Sequence, residues 1–595
     1  MKIPLISSLI HYFKVVYRYG GRKIYILLLL FLFGGISESI GISMLLPVLN
    51  IDKAETAQDQ YTKTIYNILE FVGIGVSLFS LMALLLASFL LKGVFLFLQK
   101  SIAVYIRVNL VKSIRFGFCQ KYKDMKYSYF TGTNIGYLNN VITTETDRAV
   151  AVLNRYSGLI GSLIFISIYI SFAFAINHKI TILVFVLSFI MFALLRGLAR
   201  MSRRLSILVS KTNAQIQSLL IQSLYNFKYL KATDSFRYIY KQLFPKIDKN
   251  YIYQFQSGIL TAIPSSIVEP LSVLFLSGLV FYYVGYEGRP IAEIFVLLIL
   301  FYKAFSYIFR FQSDWVKFNA SLGGLEIIND ATKNLDRNIE RSGTKRIAKL
   351  NKAVEFKDVN FSYDSKQVLY DINLTISKNR TVGIVGESGA GKTTLFDVLT
   401  GLLRPQAGSI CIDGIDYREL DISSLRNIIG YVTQEPVVFN DSIANNISFW
   451  ECDSQEDICK RRINDAVVLA NCERFINETE KGYDTVIGDK GVKLSGGQRQ
   501  RIAIARELFK EPEIMIFDEA TSALDTESEQ LIQQSINSLK GERTVVIIAH
   551  RLSTVKNCDY IYVLKEGRIV DEGSFDELYN DRNSIFSKMC QAQNL

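Results

Sequence analysis

The sequence predicts an α-helical polytopic membrane domain followed by an α/β nucleotide-binding domain with a phosphate loop. Two observations carry this prediction. Six long apolar stretches lie before residue 312, and two glycine-rich segments, Gly386–Thr394 and Leu494–Gln500, lie in the second half beside short β-rich runs. A chain of 595 residues exceeds a single domain. The expected division is a membrane domain over 1–329, a polar linker over 330–350 and a nucleotide-binding domain over 351–595.

Composition narrows the class. The chain is 49% hydrophobic with a mean hydropathy of +0.21, high for a soluble protein. Its net charge of +11 would suit nucleic acid, but the Lys and Arg residues crowd stretches that flank apolar segments, the pattern of cytoplasmic loops. No nucleic-acid partner is expected. The seven cysteines show no CxxC spacing, so they are expected to be reduced thiols, neither a zinc site nor a disulfide framework. The first apolar run is too long for a signal-peptide core and lacks a small-residue cleavage pattern.

Crossing about 30 Å of hydrocarbon takes about 20 apolar residues. The spans are read as Ile24–Leu49, Val76–Leu98, Leu159–Ile176, Ile180–Leu198, Ile259–Tyr283 and Ile291–Phe311. Lys2, Lys14, Arg18, Arg22 and Lys23 precede the first span with no acidic residue among them, which places the N-terminus in the cytoplasm. The next loop is acidic (Asp52, Glu55, Asp59, Glu70) and lies outside. An even number of spans returns the second half to the cytoplasm, where ATP is.

The cytoplasmic connections 99–158 and 199–258 are too long for structureless loops, so their flanking helices are expected to continue past the membrane. Both are interrupted, around Tyr129–Asn134 and around Tyr225–Lys231, and these points are expected to touch the nucleotide-binding domain. Ile3–Tyr19 carries Leu5, Leu9, Tyr12, Phe13 and Val16 on one side, as an interfacial helix would. Tyr61, Ile65, Ile68, Leu69 and Val72 follow helical spacing and predict a short external helix.

In the second half, strand Val382–Val385 runs into Gly386-Glu387-Ser388-Gly389-Ala390-Gly391-Lys392-Thr393-Thr394 and then a helix. Glycines let backbone amides converge on phosphates, and the helix N-terminus adds positive dipole. Lys392 is expected to reach the β- and γ-phosphates and Thr393 to ligate Mg²⁺. Asp518 and Glu519 follow directly on the apolar run Ile514–Phe517.

The segment LSGGQ (Leu494-Ser495-Gly496-Gly497-Gln498) resembles the signature of the ATP-binding cassette (ABC) superfamily. That resemblance implies further roles: Asp518 holds Mg²⁺, directly or through water, and Glu519 beside it is the general base for the attacking water. Gln434 matches the glutamine near Mg²⁺ and the domain interface, His550 the histidine that contacts the γ-phosphate, and Tyr363 the aromatic that stacks on adenine. Ser522-Ala523-Leu524-Asp525 matches the loop that crosses a dimer seam. It also implies that Ser495, Gly496, Gly497 and Gln498 close on ATP held by a second chain. One membrane half and one cassette make a half-transporter, and an intact Glu519 and signature favour a homodimer. Long inner helices with tight outer turns resemble the ABC exporter arrangement.

Polar residues inside spans are expensive, roughly 2.5–3.5 kcal/mol for a charge near the bilayer centre. Glu38, Lys92, Glu269 and Lys303 are therefore candidate substrate-cavity residues, with buried ion pairing as the structural alternative. Ser37–Pro47, Asn226–Lys231 and Phe439–Ile447 resemble the bacterial lipid-linked oligosaccharide flippases of protein glycosylation. Those proteins act in the inner membrane and carry cavity-facing cations. Lys92 and Lys303 fall near two such places, whereas Ser265 stands where that family has an arginine. The resemblance implies an ATP-driven flippase for a lipid-linked oligosaccharide or related glycolipid; a peptide or multidrug exporter is the alternative.

Overall fold

The computed structural model describes residues 21–49, 75–194, 196–286, 288, 291–364, 366–452, 454, 456–520, 524–549 and 551–593, with positions 13, 17, 63, 66, 67, 70, 71 and 73. Within these ranges, the side chains of 187–194, 196, 265, 268–269, 291–293 and 490 are not described. The chain forms two compact units, residues 1–125 with 129–339 and residues 126–128 with 340–595.

The first unit is helical, and helices occupy all six predicted spans. They are α1 (Lys23–Ser43) with its short continuation α2 (Leu45–Leu49), α3 (Leu78–Lys123), α4 (Tyr127–Thr131), α5 (Ile135–Asn140), α6 (Thr146–Ile176), α7 (His178–Leu194), α8 (Arg196–Tyr225), α9 (Phe227–Ala232), α10 (Phe236–Val280) and α11 (Ile291–Arg337). Among the described residues, four stretches are long and apolar enough to cross a membrane: Lys23–Leu49, Leu78–Lys123, Ile135–Ile176 and Ile294–Arg337.

Helix α3 has 46 residues, about 70 Å at 1.5 Å per residue, so it runs far beyond a hydrocarbon core. Its start is fixed by a reciprocal cap: the Ser80 amide donates to Ser77 Oγ at 3.2 Å and the Ser77 amide to Ser80 Oγ at 2.9 Å. Both expected interruptions are present. Helix α4 ends at Thr131, and Asn134 caps α5 by accepting from the Tyr137 amide at 3.3 Å. Helix α8 ends at Tyr225, where the short α9 begins. The tight outer turn at Asn177 has extended backbone, and its side chain accepts from the Ile180 amide. Three prolines, Pro245, Pro264 and Pro270, lie inside α10.

The polar stretch 330–350 begins as helix, because α11 runs on to Arg337. Of the proposed interfacial segment Ile3–Tyr19, only Phe13 and Tyr17 are described. Tyr61, Ile65, Ile68, Leu69 and Val72 lie outside the described residues. Their neighbour Tyr66 is buried and donates its hydroxyl to the Pro47 carbonyl at 3.1 Å.

Packing in this unit centres on α6 against α11. Tyr169, Leu300 and Phe301 are fully buried there, and the Phe165 and Tyr307 rings stack at 4.4 Å. Farther along α6, next to a π-helical turn at Val141–Glu145, sits a buried polar knot. Glu145 is fully buried. It pairs with Arg148 at 3.3 Å and accepts from Asn140 Nδ2 at 3.2 Å and Ser210 Oγ at 2.9 Å. Arg148 also donates to Ser206 on α8 and to the Ala320 carbonyl on α11. Three helices thus meet on one ion pair.

The second unit holds two sheets. Strands β1 (Ala353–Tyr363), β2 (Lys366–Ser377), β4 (Ala407–Ile412) and β5 (Ile415–Asp416) form an antiparallel sheet in the order β2-β1-β4-β5. Strands β3 (Thr381–Gly386), β6 (Ile429–Val432), β7 (Ile514–Asp518), β8 (Thr544–Ala549), β9 (Tyr560–Lys565) and β10 (Arg568–Gly573) form the second, ordered β10-β9-β3-β8-β7-β6 and parallel except for β10. Strands β3, β7 and β8 are buried on both faces. That explains their continuous apolar runs, where β1 tends to alternate.

The cysteine expectation is corrected here. Cys452 and Cys459 are disulfide-bonded across a Cα–Cα distance of 6.1 Å; Cys119, Cys411, Cys472, Cys558 and Cys590 are free. The bond joins a turn to the first turn of a helix (Asp457–Leu469), a geometry that a search for CxxC spacing does not detect.

The polar knot generates a stability prediction. Arg148→Met leaves Glu145 buried without its cation and is expected to cost about 3–5 kcal/mol, whereas Glu145→Gln with Arg148→Met should cost clearly less. Thermal denaturation of the detergent-solubilised protein checks this; equal losses for the single and double variants would refute it.

Candidate functional site

The parallel sheet places its chemistry along one edge. In register, Val385 on β3 lies beside Ala549 on β8, Asp518 on β7 beside Ile548, and Gly386 beside Leu564 on β9. The phosphate loop, the two carboxylates and the segment after β8 therefore emerge at the C-terminal ends of adjacent strands, where ligands of such sheets bind.

The phosphate loop leaves β3 at Gly386, where a Cβ would lie 2.2 Å from the Leu564 carbonyl oxygen, so only glycine fits. It enters helix α12 (Lys392–Leu399) through Gly391, whose φ of +103° is left-handed. Lys392 is buried, and its Nζ donates to the carbonyls of Gly386 at 2.8 Å and Glu387 at 3.0 Å. Burial pulls its pKa below the ordinary lysine value, and the carboxylates of Glu519 and Asp518 oppose that shift. Thr393 is exposed next to it, while Thr394 is buried.

Asp518, the last residue of β7, is buried and accepts from the Tyr431 hydroxyl at 3.3 Å. Glu519 follows with a left-handed φ of +46°. Its amide donates to the Ile548 carbonyl at 3.1 Å, and its Oε2 accepts from Gln434 Nε2 at 2.7 Å. Gln434 and Glu519 come from segments far apart in sequence and meet here. Burial, with the Asp518 charge added, pushes the Asp397 carboxyl up to about 6.

The signature begins a helix of its own. Ser495 caps Gly496–Phe509: its Oγ accepts from the Gln498 amide at 3.2 Å, and its amide donates to Gln498 Oε1 at 2.8 Å. This reciprocal cap sets the helix start at the two glycines. Gly497 lies against Ser528, and Asp525 caps the helix Thr526–Ser538 by accepting from the Ser528 amide at 2.9 Å. Tyr363 ends β1 half-exposed, its ring edge-on to Phe361. His550, Ser522 and Ala523 lie outside the described residues; His550 directly follows β8.

Tyr431, Gln500 and Asp397 were not singled out from sequence. Gln500 donates to the Thr433 carbonyl at 3.1 Å, tying the signature helix to the residue before Gln434. Its only sequence signal is its place two residues beyond Gln498. Tyr431 and Asp397 carry none, because each depends on a partner distant in the chain.

In the first unit, Lys92 Nζ and Lys303 Nζ lie 2.8 and 3.0 Å from the same oxygen of Glu38, which is buried. The structure thus brings three of the four predicted cavity residues together as two cations on one carboxylate. The Glu269 side chain lies outside the described residues. A separate cavity of about 530 Å³ is lined by residues of α6, α10 and α11, among them Arg155, Arg310, Asp314 and Lys317. Asp314 pairs with Arg155 at 3.3 Å and with Arg310 at 4.0 Å.

Comparison with known proteins agrees with both halves. The ABC transporter family model matches residues 369–522, and the ABC transporter transmembrane region matches 24–307. The chain is 32% identical to the heterocyst differentiation ATP-binding protein HepA of Nostoc sp., over 81% of this chain and 79% of that protein. It is 31% identical to the ATP-dependent lipid A-core flippase of Desulfotalea psychrophila, over 83% and 86%. A bacterial Atm1-family ABC exporter with ATP bound superposes with a TM-score of 0.78 over 98% of this chain and 99% of that one; at 24% identity it shows the fold. A phosphate loop and an LSGGQ-capped helix behind a bundle of long apolar helices thus mark the chain as a member of the ABC transporter family, an ATP-hydrolysing exporter half-transporter.

Proposed function

We propose that this chain works as a homodimeric flippase in the inner membrane, moving a lipid-linked oligosaccharide or related glycolipid from the inner to the outer leaflet. Its N-terminus and cassette face the cytoplasm. The observation that carries the substrate class is local: at two places in the helical unit, cations outnumber anions among the described side chains. Lys92 and Lys303 outnumber Glu38, and Arg155, Arg310 and Lys317 outnumber Asp314 in the separate cavity. A charged group in an apolar bundle is costly without a counter-charge, and a phosphate-bearing lipid headgroup supplies it. Relatives named as lipid flippases support the same substrate class.

For the ATPase we assign Lys392 and the loop amides from Gly386 to Thr394 to the phosphates, and Tyr363 to adenine. Thr393, Asp518 and Gln434 would hold Mg²⁺. The donor set fits: a hydroxyl, a carboxylate and an amide oxygen are the hard oxygen ligands this cation takes. When bound, the ion would supply positive charge that offsets the negative charge of the phosphates during hydrolysis. Glu519 acts as the general base, held by the Gln434 amide that also reads the Mg²⁺ side of the site. His550 contacts the γ-phosphate. Ser495, Gly496, Gly497 and Gln498 close on the nucleotide of the second copy, and the breaks at α4 and α9 couple the membrane half to the cassettes. Reconstitution in proteoliposomes with lipid-linked glycans, simple lipids, peptides and dyes tests the substrate. Stimulation of ATPase by peptides or dyes alone would move the assignment to a peptide or multidrug exporter.

Three outcomes are expected. Glu519→Gln should lower ATP turnover by about 10²–10⁴-fold while preserving ATP binding, because shape stays and the proton acceptor goes; near-wild-type phosphate release removes Glu519 from the role. A mixture of Lys392→Ala and Ser495→Arg chains should regain ATP binding at one composite site, read by nucleotide trapping. A verified monomer that hydrolyses ATP as fast as the dimer contradicts the pairing.

The third concerns Glu38, Lys92 and Lys303. The triple Gln variant removes all three charges together, so it should fold. It should also lose transport of the lipid-linked substrate while basal ATPase persists. Lys92→Gln with Lys303→Gln strands the buried Glu38 and should lower folded yield. Full transport by the triple variant excludes an anion site there.

A further inference from the structure

We propose that Cys452 and Cys459 form a reversible redox site that tunes ATP hydrolysis through the signature helix. The two sulfurs are bonded in the structure, yet the cassette that carries them uses ATP, and a compartment rich in ATP keeps thiols reduced. Disulfides in such compartments are usually transient or sensing. The other three cysteines of the helical region and C-terminus, Cys472, Cys558 and Cys590, are buried and unpaired, so the pair is chemically set apart from them.

The two partners are unequal in ways that suit exchange. Cys459 is buried in the apolar core at the third position of the helix Asp457–Leu469, out of reach of small solutes. Cys452 is only partly buried, packed at the edge of the same core, and is the sulfur that a small oxidant or reductant reaches. In oxidation, the Cys452 thiolate attacks one sulfur of glutathione disulfide and expels a glutathione thiolate. The Cys459 thiolate then attacks the Cys452 sulfur and expels the second glutathione. Two thiols become one disulfide, their protons pass to solvent, and their two electrons reduce glutathione disulfide to two glutathiones. Reduction runs the reverse path, an external thiol attacking Cys452 and Cys459 leaving as the thiolate.

The staple has a route to the site. Glu451, adjacent to Cys452, pairs with Arg462 at 3.1 Å. Arg462 lies one helical turn beyond Cys459, donates to the Phe509 carbonyl at 3.0 Å and covers the Phe509 ring at 4.1 Å. Phe509 is the last residue of the helix that Ser495 caps. The disulfide, the ion pair and the arginine together anchor the far end of the signature helix. Opening the staple frees Glu451 from Arg462 and loosens that anchor.

The test uses the full-length protein in lipid nanodiscs, equilibrated in glutathione buffers of high and low oxidised fraction, alkylated with N-ethylmaleimide and digested. The expected result is a Cys452–Cys459 cross-link in the oxidised buffer and two alkyl groups on the same pair in the reduced buffer. ATPase activity should be about fivefold lower in the reduced buffer, the low end of site-to-site coupling. Cys452→Ser and Cys459→Ala should each hold the reduced rate in both buffers. Alkylation of both cysteines at every buffer ratio overturns the site. A cross-link that forms and breaks with no change in ATPase overturns its regulatory role, as does a Cys452→Ser protein that still responds to the buffer.

Discussion

The cassette depends on the parallel register of β3, β7 and β8. Hydrogen bonding between these strands is slanted and continuous, and it brings three chain segments from distant parts of the sequence to one edge at fixed spacing. Slip the register by one residue and every side chain at that edge reverses its face. Asp518 would then leave Tyr431, and Glu519 would leave Gln434. Burial on both faces makes such a slip costly, because each strand would present its apolar run differently to two packed layers. The apolar strands thus protect the geometry of the polar residues at their ends.

The membrane half solves a different problem with fewer tools. Its spans bury one carboxylate against two lysines and, farther along the helices, a second ion pair inside a three-helix junction. Each of these buried carboxylates is matched by at least one cation, and the knot at Glu145 is also supplied with hydroxyl and amide donors. Taking ions out of water costs several kcal/mol each, so a helix shift that separated one of these pairs would strand a buried charge. The second lysine beside Glu38 is the charge that the proposed anionic headgroup would match.

Much of this was legible in the sequence because the signals are local. The phosphate loop and signature are contiguous, and their helix starts follow from Gly391 and Ser495. The six apolar runs were found by length, and the breaks near Thr131 and Tyr225 by residues that interrupt a helical pattern. The rest was hidden for a common reason: it depends on partners distant in the chain or on a bond whose spacing has no motif. Glu38 reads as a costly span residue with ion pairing as the alternative, and the fold shows that both Lys92 and Lys303 share it. Arg148 and Glu145 carry no sequence signal of their pairing, because Ser206, Ser210 and Ala320 arrive from other helices. The polar composition of 330–337 reads as linker, yet α11 continues through it, since polar residues propagate an existing helix at little cost. The bond between Cys452 and Cys459 follows from a turn meeting a helix start.

The three prolines of α10 have a mechanical consequence. A proline carries no amide hydrogen, so the carbonyls of Lys241, Leu260 and Ser266 receive no backbone donor from the residue four places on. Bending stiffness in a helix comes largely from that ladder of bonds. A rod with three missing rungs, two of them in its second half, is more compliant there than the unbroken 46-residue α3. Under load, curvature concentrates at the weakened points while the stretches between them stay straight. Helix α10 therefore behaves as jointed segments, and a displacement at one end need not reach the other at full amplitude.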